Sequence, residues 1–174
     1  MYTFIALFRG INVGGRNSLL MRELIEILEH MGLEKVRTYI QSGNVVFQST
    51  KQLSAGFSTD ISLAVENAKG FKPGVLLLSP KEFQTAIDEC PFSSDEGKLL
   101  HFFFLSEMPA EPDLESLAVL KSETEEYRLI NKVFYLYAPD GIGRSKLVSK
   151  VEKAMGVSVT ARNWNTVRKV LSLT

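Results

Sequence analysis

The sequence is poor in the residues that most often announce a function. Of its 174 residues, one is cysteine, two are histidine and one is tryptophan. The lone Cys90 excludes an internal disulfide and any zinc site built on cysteine pairs. No apolar run approaches the roughly 20 residues that span a bilayer. An excess of charge is missing too, since 20 Lys and Arg balance 20 Asp and Glu. Such a chain has no global attraction to nucleic acid or to an anionic membrane, although a local basic patch is still allowed. Met1 leads directly into the apolar residues 2–8 without a basic n-region or a small-residue cleavage site, so a signal peptide is not expected. The expectation is a cytoplasmic protein with no membrane partner, no metal and no cofactor.

What the chain does have is the composition of a folded domain, with 45% hydrophobic and 23% charged residues. Residues 2–8 are apolar on both alternate faces, which predicts a strand in a sheet covered on both sides. A polar, glycine-bearing stretch occupies 10–17. Leu20, Leu24, Ile27, Leu28 and Met31 then recur at helical spacing, with Gly32 as the stop. Residues 36–40 and 45–48 read as strands joined by a hairpin turn over 41–44. Leu53, Phe57, Ile61, Ala64 and Ala68 mark a second helix, and 75–78 a fourth strand. This is the β-α-β-β-α-β order of the ferredoxin-like pattern.

The order then repeats. Ser79, Pro80 and Glu82 predict a capped helix start, and 93–97 reads as a linker. A strand is expected at 99–105, a short helix near 113–120, and a hairpin of 127–130 with 133–137 about Asn131. Leu147, Val148, Val151, Ala154 and Met155 form a helical stripe ended by Gly156. A brief strand near 157–159 and a helix carrying Trp164, Val167 and Leu171 close the chain. The expected fold is α+β, with two ferredoxin-like (βαββαβ) subdomains packed into one compact unit. Residues 1–80 form the first half, 81–98 a helix and linker, and 99–174 the second half with its C-terminal helix.

Three strings stand out: FRGINVGG at 8–15, YIQSGNVVF at 39–47 and TARNWNTV at 160–167. Together, and in this order, they are similar to the signature strings of the bacterial domain of unknown function 1697 family. The resemblance covers nearly the whole chain. It implies a two-subdomain α+β fold and carries no activity with it.

The topology groups the polar loops. In a ferredoxin-like half, the loop after the first strand and the hairpin between the second and third share one sheet edge. That places Arg9, Asn12, Gly14, Gly15, Arg16 and Asn17 near Gln41, Ser42 and Asn44. Glycine-rich backbone beside a helix start, with two arginines, suits a phosphate or carboxylate. The competing reading is plain turn chemistry, because Asn and Gly are ordinary turn residues. The Gly10 to Gly15 spacing matches neither the dinucleotide fingerprint nor the Walker pattern.

In the second half, the loop over 140–146 is expected beside 160–165. Arg144, Ser145 and Lys146 would sit on the first turn of a helix, facing Arg162 and Asn163, with Trp164 free to stack on a ring. Here the competing reading has Ser145 or Thr160 capping helices and Trp164 plugging the core.

Catalytic constellations find little support. His30 lies near a helix end and His101 within an apolar strand, neither beside a nucleophile. Cys90 reads as packing, and Glu23 with Glu26, or Glu125 with Glu126, as solvated positions. Whether a reaction is catalysed stays open. The leading expectation is a binding module for a small anionic ligand, a nucleotide included. One alternative is a protein-interaction or self-associating structural module, with a homo-oligomer as its partner. Nucleic-acid binding is the lesser alternative, because exposed sheet aromatics of the RNA-recognition type are not apparent.

Overall fold

The computed structural model describes residues 1–54, 56–93 and 95–174. Ser94, inside the expected linker, lies outside them. The chain divides into a first unit, Met1–Thr85 with Lys169–Thr174, and a second, Ala86–Arg168.

The first unit holds β1 (Tyr2–Arg9), α1 (Met21–His30), β2 (Glu34–Tyr39), β3 (Asn44–Ser49), α2 (Phe57–Lys69) and β4 (Gly74–Leu78). Its antiparallel sheet runs β2-β3-β1-β4, the ferredoxin-like order. Ala6, Phe8, Val45 and Phe47 point one way and meet Leu24, Leu28, Ile61 and Val65 from α1 and α2. Their strand neighbours Ile5, Leu7 and Val46 point the other way and are also fully buried. The doubly apolar β1 is thus explained by a sheet buried on both faces. At the end of α1, Gly32 N–H donates to Glu29 O and Leu33 N–H to Leu28 O, a Schellman stop that buries Leu33.

Next comes α3 (Pro80–Asp88). Ser79 N–H donates to Glu82 Oε2 at 2.8 Å and Glu82 N–H to Ser79 Oγ at 3.2 Å, the reciprocal box read from sequence. The second unit follows with β5 (Leu100–Leu105), α4 (Leu114–Leu120), β6 (Glu126–Ile130), β7 (Val133–Tyr137), α5 (Val151–Met155), β8 (Val159–Asn163) and most of α6 (Trp164–Leu171). Its sheet runs β6-β7-β5-β8. Phe103, Leu105, Phe134 and Leu136 pack with Leu117, Val151 and Met155. On the other face Phe102 stands edge-on to Tyr135 at 5.0 Å, and Tyr135 Oη donates to Ala86 O at 2.6 Å. Burial pushes that phenol well above its usual range.

Two elements depart from expectation. The stripe over 147–155 is not one helix: 3-10 turns at Ile142–Arg144 and Val148–Lys150 precede a five-residue α5. Ser145 is extended at φ −71°, ψ 118°, which interrupts any helix there. The last strand runs over Val159–Asn163 rather than 157–159. Its polar residues belong to a sheet edge, where one flank faces away from the ladder, so its composition reads as loop.

Candidate functional site

In the first unit, β1 ends where β3 and β4 begin, with Leu7 opposite Asn44 and Arg9 opposite Gly74. The loop after β1, the β2–β3 turn and the approach to β4 therefore share one edge. Val13 and Arg16 pair across Gly14 and Gly15, both at positive φ, forming a two-residue hairpin of the type those glycines favour. Asn12 N–H donates to Asn17 O at 3.0 Å, and Asn17 Nδ2 to Gly10 O at 2.7 Å.

Asn12 is the brace of this edge. Its Nδ2 donates to Leu19 O at 2.9 Å and to Gln41 O at 2.8 Å, while its Oδ1 accepts from Leu19 N–H at 2.9 Å. The expected neighbourhood of Asn12 and the 41–44 turn is therefore present. Asn44 Nδ2 donates to Tyr39 O and Ser42 Oγ, and Gly43 O accepts from Phe8 N–H at 2.8 Å. Much of the amide chemistry assigned to a ligand is thus spent on the loops themselves. Arg16 N–H donates to the Val13 carbonyl at 3.0 Å.

The cations remain. Arg9 lies along the start of β4, so close that a Cβ on Gly74 would meet its Cγ at 2.5 Å. Arg16 is exposed on the hairpin. Residues 9–20, 39–44 and 70–74 contain Arg9, Arg16 and Lys72 and no Asp or Glu. Lys72 was not singled out from sequence, although its place before β4 follows from the same topology. Exposed Val13 (66%) and Ile40 (49%) share this edge. Ile40 holds φ +50°, a strained conformation for a β-branched residue.

In the second unit, Arg162 and Asn163 lie on opposite faces of β8. The loop after β7 and the end of β8 do share an edge, since β5 begins with Leu100 opposite Tyr137 and His101 opposite Asn163. Successive strand residues face opposite ways. Arg162, opposite Phe102, therefore shares a face with Trp164, which stacks on Phe102 at 5.5 Å. Asn163 shares the other face with His101, and its Oδ1 accepts from Thr166 N–H at 2.9 Å. It is Asn163 that caps α6, while Thr160 is buried within β8. Arg144 ends the first 3-10 turn, and Ser145 and Lys146 lie between it and the second, so none is on the first turn of an α-helix. One ring face of Trp164 is covered by Phe102, and its Nε1 is buried without a partner among the described residues.

Burial lowers the Arg162 guanidinium to about 10, so it stays charged at neutral pH, and its Nη1 donates to Ala161 O at 2.8 Å. Burial also pulls His101 below its usual 6.5, against a raising backbone hydrogen bond at Lys98. As pH falls through about 6.5, the unfolded chain takes up this proton before the folded one. Stability contributed by neutral His101 is then lost toward its lower folded value. We expect a melting temperature that falls between pH 7 and 5, with a shallower fall in His101→Gln. Equal slopes in the two proteins would remove this assignment.

Among the described residues, no helix is long and apolar enough to cross a membrane, and no group of three His, Cys, Asp or Glu is placed to hold a metal ion.

Sheets and edges together define an α+β protein of two ferredoxin-like halves. Residues 1–135 match the family described as "Protein of unknown function (DUF1697)", and the chain belongs to that family. The first two signature strings lie inside the matched residues and the third beyond them. The chain is also similar to a solved structure described as conserved bacterial protein SP0830 from Streptococcus pneumoniae, at TM-score 0.72 and 24% identity, covering 99% of this chain and 98% of that one. That likeness speaks for the fold alone. No curated protein matches.

Proposed function

We propose that this is a cytoplasmic binding module for a small anionic ligand bearing phosphate or carboxylate groups, a nucleotide included. The ligand sits at the loop edge of the first unit. The observation that carries the reading is a braced rim with Arg9, Arg16 and Lys72 and no carboxylate of its own. Electroneutrality of the whole chain makes a carboxylate-free edge the favourable place for an anion. The brace supports it further, because loops already ordered by Asn12 lose little entropy when a ligand docks. Gln41 and Ser42 supply additional polar groups at the same edge. Arg162 with Trp164 forms a second, lesser candidate, since Asn163 lies on the other face of β8 and caps α6.

A hydrogen bond to a charged group contributes about 1.5–3 kcal/mol. Arg16→Ala is therefore expected to weaken binding of pyrophosphate or a nucleoside triphosphate about tenfold or more, as read by titration calorimetry at low salt. Arg144→Ala, on the second unit, should leave it unchanged. Affinities untouched by both Arg9→Ala and Arg16→Ala would end the reading.

A further inference from the structure

Each four-stranded sheet has two edge strands, and the four differ in how they are protected. β2 carries Glu34, Lys35 and Arg37, and its pairing with β3 is irregular between Glu34 and Arg37. β6 carries Glu126 and Arg128, and β8 carries Arg162. Charges and bulges of this kind keep an edge from recruiting another strand. β4 has neither. Its sequence is Gly-Val-Leu-Leu-Leu over Gly74–Leu78, in continuous register with β1 along all five residues. Among the described residues, only β1 hydrogen-bonds to its backbone. Every second N–H and C=O of the strand therefore points away from the sheet.

We propose that β4 pairs antiparallel with β4 of a second copy of this chain, joining two first-unit sheets into one eight-stranded sheet. The occupant follows from self-complementarity. A two-fold axis at Leu76 sets it opposite Leu76 of the partner subunit, with Val75 opposite the partner's Leu77 and Gly74 opposite the partner's Leu78. An uncharged aliphatic strand meets its own copy without repulsion and without an unpaired charge. The same patch on both chains is the contact that closes a two-fold dimer. Pro73 before the strand and Pro80 after it limit the pairing to this segment. The proposal does not depend on the anion reading, whose loops lie at the sheet's end rather than along its flank.

Light scattering after gel filtration, over a range of concentrations, tests it first. The expected mass is twice that of one chain, falling toward a single chain on dilution. Leu76→Lys should hold the mass at one chain, with its circular dichroism unchanged. Should that variant fail to fold, amide exchange in the wild type decides: all β4 amides protected at high concentration, and alternate ones exposed on dilution. A wild-type protein that is monomeric throughout overturns the proposal. So does a folded Leu76→Lys variant that remains dimeric, or β4 amide exchange that ignores concentration.

Discussion

Gly43→Ala is expected to cost about 2–4 kcal/mol of folding stability, among the largest effects of any single methyl in the first unit. Two costs combine. Gly43 holds φ +75°, which an L-residue adopts at about 1 kcal/mol or more. A Cβ there would also stand 2.5 Å from Phe8 Cβ and 2.6 Å from Ile11 Cδ1. Both neighbours are buried, so relief requires the core to move, at about 1–3 kcal/mol. Gly70→Ala separates the two costs, because it has a similar φ of +79° and nothing within 4 Å of its Cβ. Chemical denaturation should show roughly 1 kcal/mol for Gly70→Ala and clearly more for Gly43→Ala. Equal losses would mean that the contact with Phe8 and Ile11 contributes nothing.

Asn12→Ala is expected to follow, at about 2–3 kcal/mol. It removes three hydrogen bonds, two donated by Nδ2 and one accepted by Oδ1, each with a net contribution near 1 kcal/mol. It also replaces a residue that tolerates φ +53° with one that does not. Asn12→Asp keeps the acceptor for Leu19 N–H but sets a charge against the Leu19 and Gln41 carbonyls, so it should not rescue. Because Asn12 ties the 10–20 loop to the 40–43 turn, ligand affinity should fall along with stability, although Arg9 and Arg16 are intact. A variant as stable as the wild type would mean that water replaces the brace without loss.

The alternation of two-residue and helical periods made the β-α-β-β-α-β order legible in both halves. The capping box of Ser79 and Glu82 and the hairpin about Asn131 were legible from local chemistry as well. β8 was not, because an edge strand does not need the apolar run that marks a central one, and Thr160 to Asn163 look like a loop. That one misplacement hid the division of the second candidate set. Once Arg162 and Asn163 are known to be consecutive in a strand, they must face opposite ways. The meeting of Asn12 with the 41–44 turn followed from topology, and its hydrogen-bonding did not. Gly43 reads as an ordinary turn glycine until Phe8 and Ile11 are in place around it. The strain at Ile40 has no signal in the sequence at all, since nothing local asks an isoleucine for positive φ.

The central claim is that the first unit's loop edge receives an anion. An amide NMR titration with inorganic pyrophosphate at low salt tests it most directly. Shifts should concentrate in residues 9–20, 41–43 and 70–74, saturate, weaken with added salt and diminish in Arg16→Ala. No saturable shift, or shifts centred on the end of β8 and the start of α6, would contradict it.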